Sequence, residues 1–178
     1  GIRDMAKEMP IAVGELSRIA AIGGQFGIAQ GDLLEFTKTV AMLGTAIDGI
    51  SPDAAAAALA QIAAQAGTTS EDFDNLASML VRLGNEGTST EGDILELAKR
   101  LVGAGTQAGL TEADIFGLAG ALANMGIEAQ AGGTAWSKVL RAMNDASIDG
   151  GDKLTEFARI AGMTAGEFAT AFKEEPSK

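Results

Sequence analysis

Two stretches of this chain, 82 residues apart, follow nearly the same pattern. The first runs Ile22-Gly23-Gly24-Gln25-Phe26-Gly27-Ile28, continues through Asp32 and closes at Met42-Leu43-Gly44. The second runs Val102-Gly103-Ala104-Gly105-Thr106-Gln107-Ala108-Gly109-Leu110, continues through Asp114 and closes at Asn124-Met125-Gly126. Gly23/Gly105, Gln25/Gln107, Gly27/Gly109, Asp32/Asp114 and Gly44/Gly126 all keep the offset. One corner, in which a helix stops on glycine, turns over an apolar residue and restarts, is used twice. The fold must therefore be a body assembled from like parts.

Those parts are helical. Ile94, Leu97, Ala98 and Leu101 form an apolar stripe at i, i+3, i+4, i+7, as do Ile115, Leu118, Ala119 and Leu122. Phe73/Leu76/Ala77/Leu80, Trp136/Val139/Leu140/Met143 and Leu154/Phe157/Ala158/Ala161 repeat the spacing. No window alternates with period two for more than a few residues, so no sheet is expected. Helix starts are marked at Thr69-Ser70-Glu71-Asp72, Thr90-Glu91-Gly92-Asp93, Thr111-Glu112-Ala113-Asp114 and Thr164-Ala165-Gly166-Glu167. In each, the Thr hydroxyl accepts an orphan amide and the acid three residues on can bond back. Ser51-Pro52-Asp53 is a cap with proline at the first helical position. Gly27, Gly44, Gly67, Gly84, Gly109 and Gly126 fall where stripes end and suit left-handed C-terminal caps, with Ile28 and Leu110 closing Schellman turns.

The expected helices span 14–26, 30–43, 52–66, 70–83, 91–108, 112–125, 133–145, 150–161 and 164–174. The expected fold is all-α: a compact multi-helix bundle of two tandem related units, each of about 80 residues. The units run roughly 14–90 and 96–161, with a closing helix at 164–174. Residues 1–178 are expected to form one helical domain excised from a longer chain. Gly84-Asn85-Glu86-Gly87-Thr88-Ser89 is the one loose candidate for a linker.

Residue content narrows the chemistry. The chain has no His, Cys or Tyr, which removes the commonest general acid/base, thiolate chemistry and the phenolic donor. No Ser-His-Asp or Cys-His triad can be assembled from it. A net charge of −11 and no basic cluster beyond Lys99-Arg100 disfavour nucleic-acid binding. No run approaches the ~20 apolar residues of a membrane span. Acids crowd the stretch from Ser51 to Leu95 (Asp53, Glu71, Asp72, Asp74, Glu86, Glu91, Asp93) against the single base Arg82. That strip is either a solvated outer face or a docking face for a basic partner.

Individual candidates favour structural roles. Glu112 and Asp114 are conceivable as paired carboxylates, but their place at a helix start makes them caps. Gly103-Ala104-Gly105 lacks the preceding strand that a phosphate loop needs, and Gly132-Gly133 suits a turn entering the Trp136 helix. Trp136, Met125, Met143 and Phe116 are candidates to line a groove for another helix. No catalytic, cofactor-binding or metal-binding residue is assigned, and no cofactor is expected.

The run from Gly103 to Ile115, continuing through Ala131-Gly132-Gly133-Thr134-Ala135-Trp136-Ser137-Lys138-Val139-Leu140, resembles the core region of phage tail tape measure proteins. Met5-Ala6-Lys7-Glu8-Met9-Pro10, Leu95-Glu96-Leu97-Ala98-Lys99-Arg100, Leu154-Thr155-Glu156-Phe157-Ala158 and Phe172-Lys173-Glu174-Glu175-Pro176 agree with it. The resemblance implies a non-enzymatic structural protein of phages and prophages that sets tail length, occupies the tube and leaves ahead of the DNA. It implies several copies in the virion tail, assembly in the host cytoplasm, and contacts with tail tube, tail assembly chaperone and baseplate or distal tail proteins. Two other readings stand beside it: a cellular helical adaptor gripping partner helices in a Met/Phe-lined groove, and a hydrolase working on carboxylates alone.

Overall fold

The computed structural model describes residues 1–47, 49–69 and 72–174. Among them it contains ten helices and no strand: α1 (Ile2–Glu8), α2 (Val13–Gln25), α3 (Leu33–Gly44), α4 (Pro52–Ala66), α5 (Phe73–Glu86), α6 (Glu91–Gln107), α7 (Glu112–Asn124), α8 (Ala129–Asp149), α9 (Gly151–Ala161) and α10 (Ala165–Glu174). The expected all-α class holds, with helices packed in a compact body.

The helices form two rows. In one row α2, α4, α6, α8 and α10 pack each against the next. In the other, α5 packs between α3 and α7. Consecutive helices α2–α3, α5–α6 and α6–α7 cross between rows, and α9 packs on α8 and α10. α4 sits deep in this arrangement because most of its residues are alanine. Ala55, Ala56, Ala58, Ala60 and Ala63 are buried, and such small side chains let α2 and α6 approach closely. Leu16, Ile19, Ile62, Ile94, Leu97 and Leu101 fill the seam, each worth about 1.5–3 kcal/mol on burial.

The repeated corner has the same geometry both times. The Ile28 N–H donates to the Gly23 carbonyl at 3.0 Å and the Gly27 N–H to that of Gly24 at 3.2 Å. Leu110 donates to Gly105 at 2.9 Å and Gly109 to Thr106 at 3.1 Å. Both are Schellman turns, with Gly27 at φ +90° and Gly109 at +85°. Gly23 and Gly105 are required by packing instead. A Cβ on Gly23 would stand 2.8 Å from the Phe36 ring, and one on Gly105 2.9 Å from Ile115 Cγ1.

Several expectations are corrected. α1 lies where no helix was expected; it is only two turns long, too short for a full stripe, and rests Ile2, Met5 and Ala6 on the core. α8 starts four residues before the expected 133 and runs four past 145. Gly132 and Gly133 lie inside it, not in a turn: Gly132 makes room for Ile127 just before α8, and Gly133 for α6. A Cβ on Gly133 would meet the Arg100 Cβ at 2.6 Å. α3 starts at Leu33 instead of 30. Gly44 and Gly84 are helical residues, not left-handed caps; Gly44 faces Pro52, and Gly84 makes room for the Glu91 side chain. The expected α5 start at Ser70, with Glu71, lies outside the described residues.

Candidate functional site

The carboxylates singled out from the sequence are apart in role. Asp114 Oδ2 accepts the Thr111 N–H at 2.9 Å and its hydroxyl at 2.6 Å, while the Asp114 N–H donates to Thr111 Oγ1 at 3.2 Å. It is a complete capping box. Glu112 is not a cap: it accepts a hydrogen bond from the Thr68 hydroxyl and ties the start of α7 to the turn after α4. Thr90/Asp93 and Thr164/Glu167 form the same box. The Thr164 N–H and hydroxyl hold the Glu167 carboxyl below its ordinary range. Thr69 reaches Asp72 at 3.3 Å, but α5 begins only at Phe73.

Of the described acids of the strip, Asp53, Asp72, Asp74, Glu86 and Asp93 are exposed, while Glu91 is half-buried against Gly84. Asp53 pairs with Arg18 at 3.5 Å, Glu86 accepts from Arg82 Nε at 2.8 Å, and Asp74 accepts the Thr39 hydroxyl at 2.7 Å. Gly103-Ala104-Gly105 lies within α6, away from any helix start. Among the described residues no group of three or more His, Cys, Asp or Glu is placed to hold a metal ion, and no helix is long and apolar enough to cross a membrane.

Two surface grooves with apolar walls stand out among the described residues. One, of about 450 Å³, lies between α7, α8 and α10 and is lined by Leu110, Ala113, Gly117, Leu118, Trp136, Leu140, Met143 and Phe172, with Asp114 at its edge. Trp136 and Met143 meet here as the sequence suggested. Phe116 does not, being fully buried, and Met125 stands 73% exposed just beyond α7. The sequence reading missed Leu118 and Leu140 as groove residues because both belong to stripes that look wholly internal. A larger groove of about 760 Å³ runs between α3 and α5, with Met42, Leu43, Ala46, Ala77 and Val81 among its lining residues. Its ionisable lining is balanced, Lys38 and Arg82 against Asp74 and Glu86.

The family model of the phage-related minor tail protein matches residues 1–174. The chain belongs to that family. It is a structural component of a phage tail, and its partners are found in tail assembly. No curated protein and no solved structure matches it. Family membership gives the grooves a context, since a tail is assembled by protein–protein docking, and it favours a structural reading over the carboxylate-only hydrolase.

Proposed function

We propose that this chain is a section of a tail tape measure protein, the ruler around which tube subunits polymerise. The family match over residues 1–174 supports a tail protein, and the tape-measure resemblance of the Gly103–Leu140 run supports the finer assignment. In this reading several copies share the tail with tube, chaperone and baseplate proteins, assemble in the host cytoplasm, and leave ahead of the DNA. A net charge of −11 suits a body that must not cling to passing DNA. The chain is one domain of two related units, 14–90 and 96–161, closed by 164–174.

A ruler is extended, whereas these helices reverse at sharp glycine turns. The compact section therefore sits at the tail tip or in the baseplate, and other parts of the ruler span the tube. In-frame deletions in the encoding gene test this. Deletions outside residues 1–178 should shorten tails in electron micrographs by about 1.5 Å per helical residue removed, and deletions within should leave length unchanged but disturb assembly. Tail lengths indifferent to every deletion would sink the ruler. Density showing residues 91–145 as one continuous rod would refute the tip placement.

A further inference from the structure

We propose that the groove between α7, α8 and α10 docks a basic amphipathic helix of a partner protein, one presenting a large apolar residue and a second three positions on. The chain's own first half shows what such a groove takes. There Phe36 and Leu59 receive Phe73 and Leu76 of α5, with the Phe36 and Phe73 rings edge to face at 5.4 Å and only about 10 Å³ left open. At the offset of 82 Leu118 stands for Phe36, and with a one-residue slip to 81 in the later helices Leu140 stands for Leu59 and Leu154 for Phe73; Leu118 and Leu140 both line the second groove. No residue of α9 does. Leu154, the counterpart of Phe73, is buried elsewhere, and about 450 Å³ stays open.

The difference comes from the connections. Residues 67–72 separate α4 from α5, enough chain for α5 to fold back over α3. Only Gly150 separates α8 from α9, at φ +74° and ψ −151°, so α9 turns away. The groove is thus a fixed product of the fold. Met143 and Trp136, half-buried on its wall, give it an adaptable and an aromatic surface. Charge favours one kind of occupant: among the described residues the ionisable one lining the groove is Asp114, an acid that also caps α7, and the chain carries a net charge of −11, so a helix flanked by Lys or Arg is favoured over an acidic one. The α3–α5 groove, with balanced charges, makes no such choice.

Trp136 is the chain's one Trp, and there is no Tyr, so its fluorescence reports this groove directly. The probe is a synthetic helical peptide with Phe and Leu spaced as Phe73, Leu76 and Leu80 and Lys at its outward positions. Its control carries Glu instead of Lys. We expect a saturable change in Trp136 emission with the Lys peptide, at an affinity about tenfold or more above the Glu peptide and falling with salt. No response to either peptide, or equal affinities, would overturn the proposal. So would emission that shifts with the protein's own concentration, which would assign the groove to a second copy. Gly117 lines the groove and has no atom within 4 Å of where a Cβ would stand. Gly117→Leu should therefore fill the groove and abolish the response while circular dichroism stays unchanged; a folded G117L protein that binds as the wild type does would also overturn it. The peptide comparison on the wild-type chain decides the matter without the variant.

Discussion

Asn124, at the last turn of α7, holds Ser89 from the loop before α6. Its Oδ1 accepts the Ser89 backbone N–H at 3.1 Å and the Ser89 hydroxyl at 2.9 Å, together with the Thr88 N–H at 2.8 Å. The stretch expected to be the loosest in the chain is therefore tied down. Asn85 and Glu86 continue α5, and a Cβ on Gly87 would collide with Asn124. Asn124→Ala should cost about 1–2 kcal/mol in chemical denaturation, since several donors lose one acceptor. Asn124→Asp, which keeps the acceptor, should cost less. Equal losses would show that the contact does not depend on that oxygen.

Glycine substitutions should split by sign. Gly23→Ala and Gly105→Ala gain helix propensity but drive a methyl into Phe36 or Ile115. Overpacking of this kind costs about 1–3 kcal/mol and should lower the thermal midpoint. Gly117→Ala meets nothing within 4 Å, so propensity alone acts and should stabilise by up to about 1 kcal/mol.

The capping threonines can be weighed one by one. Thr90→Ala and Thr111→Ala each remove the acceptor for an orphan amide of α6 or α7, and each should cost about 1 kcal/mol. Glu112→Ala acts differently, releasing Thr68 and the turn after α4. Hydrogen exchange should then quicken around Gly67 and Thr68, well away from α7 in sequence, and exchange that quickened only within α7 would contradict the tether.

Acid should loosen α10 in a defined direction. Glu167 is held below its ordinary value by hydrogen bonds from the Thr164 N–H and hydroxyl. A depressed carboxyl contributes stability that is present above its unfolded pKa and lost as pH falls through the folded one. The loss therefore falls below the usual glutamate range, about pH 4.3. Because Phe172 of α10 and Trp136 line one groove, Trp136 emission during acid titration should follow the change. Thr164→Ala should move that part of the titration toward higher pH.

Most helices were legible because stripe and cap agree. Ile94, Leu97, Ala98 and Leu101 are all buried behind the Thr90 box, and Gly67, Gly109 and Gly126 have the positive φ that their places after stripes require. Where a residue's role depends on a neighbouring helix, the reading failed. Gly132 and Gly133 looked like a turn, yet both are helical: Ile127 folds against Gly132, and α6 crosses α8 at Gly133, where Arg100 needs the missing side chain. Val139 belongs to the Trp136 stripe by spacing and is left 40% exposed.

Local pattern alone determined that this chain is helical, where most helices stop, and that one corner recurs, since periodicity and backbone sterics act over a few residues. Leu34 and Phe116 hold the same place in that corner, yet Leu34 is 46% exposed and Phe116 is fully buried. Only the tertiary structure decided that difference, along with the open groove beside α7. Burial depends on which helices arrive to cover a face, and the lengths of distant connections, such as the lone Gly150, govern their arrival.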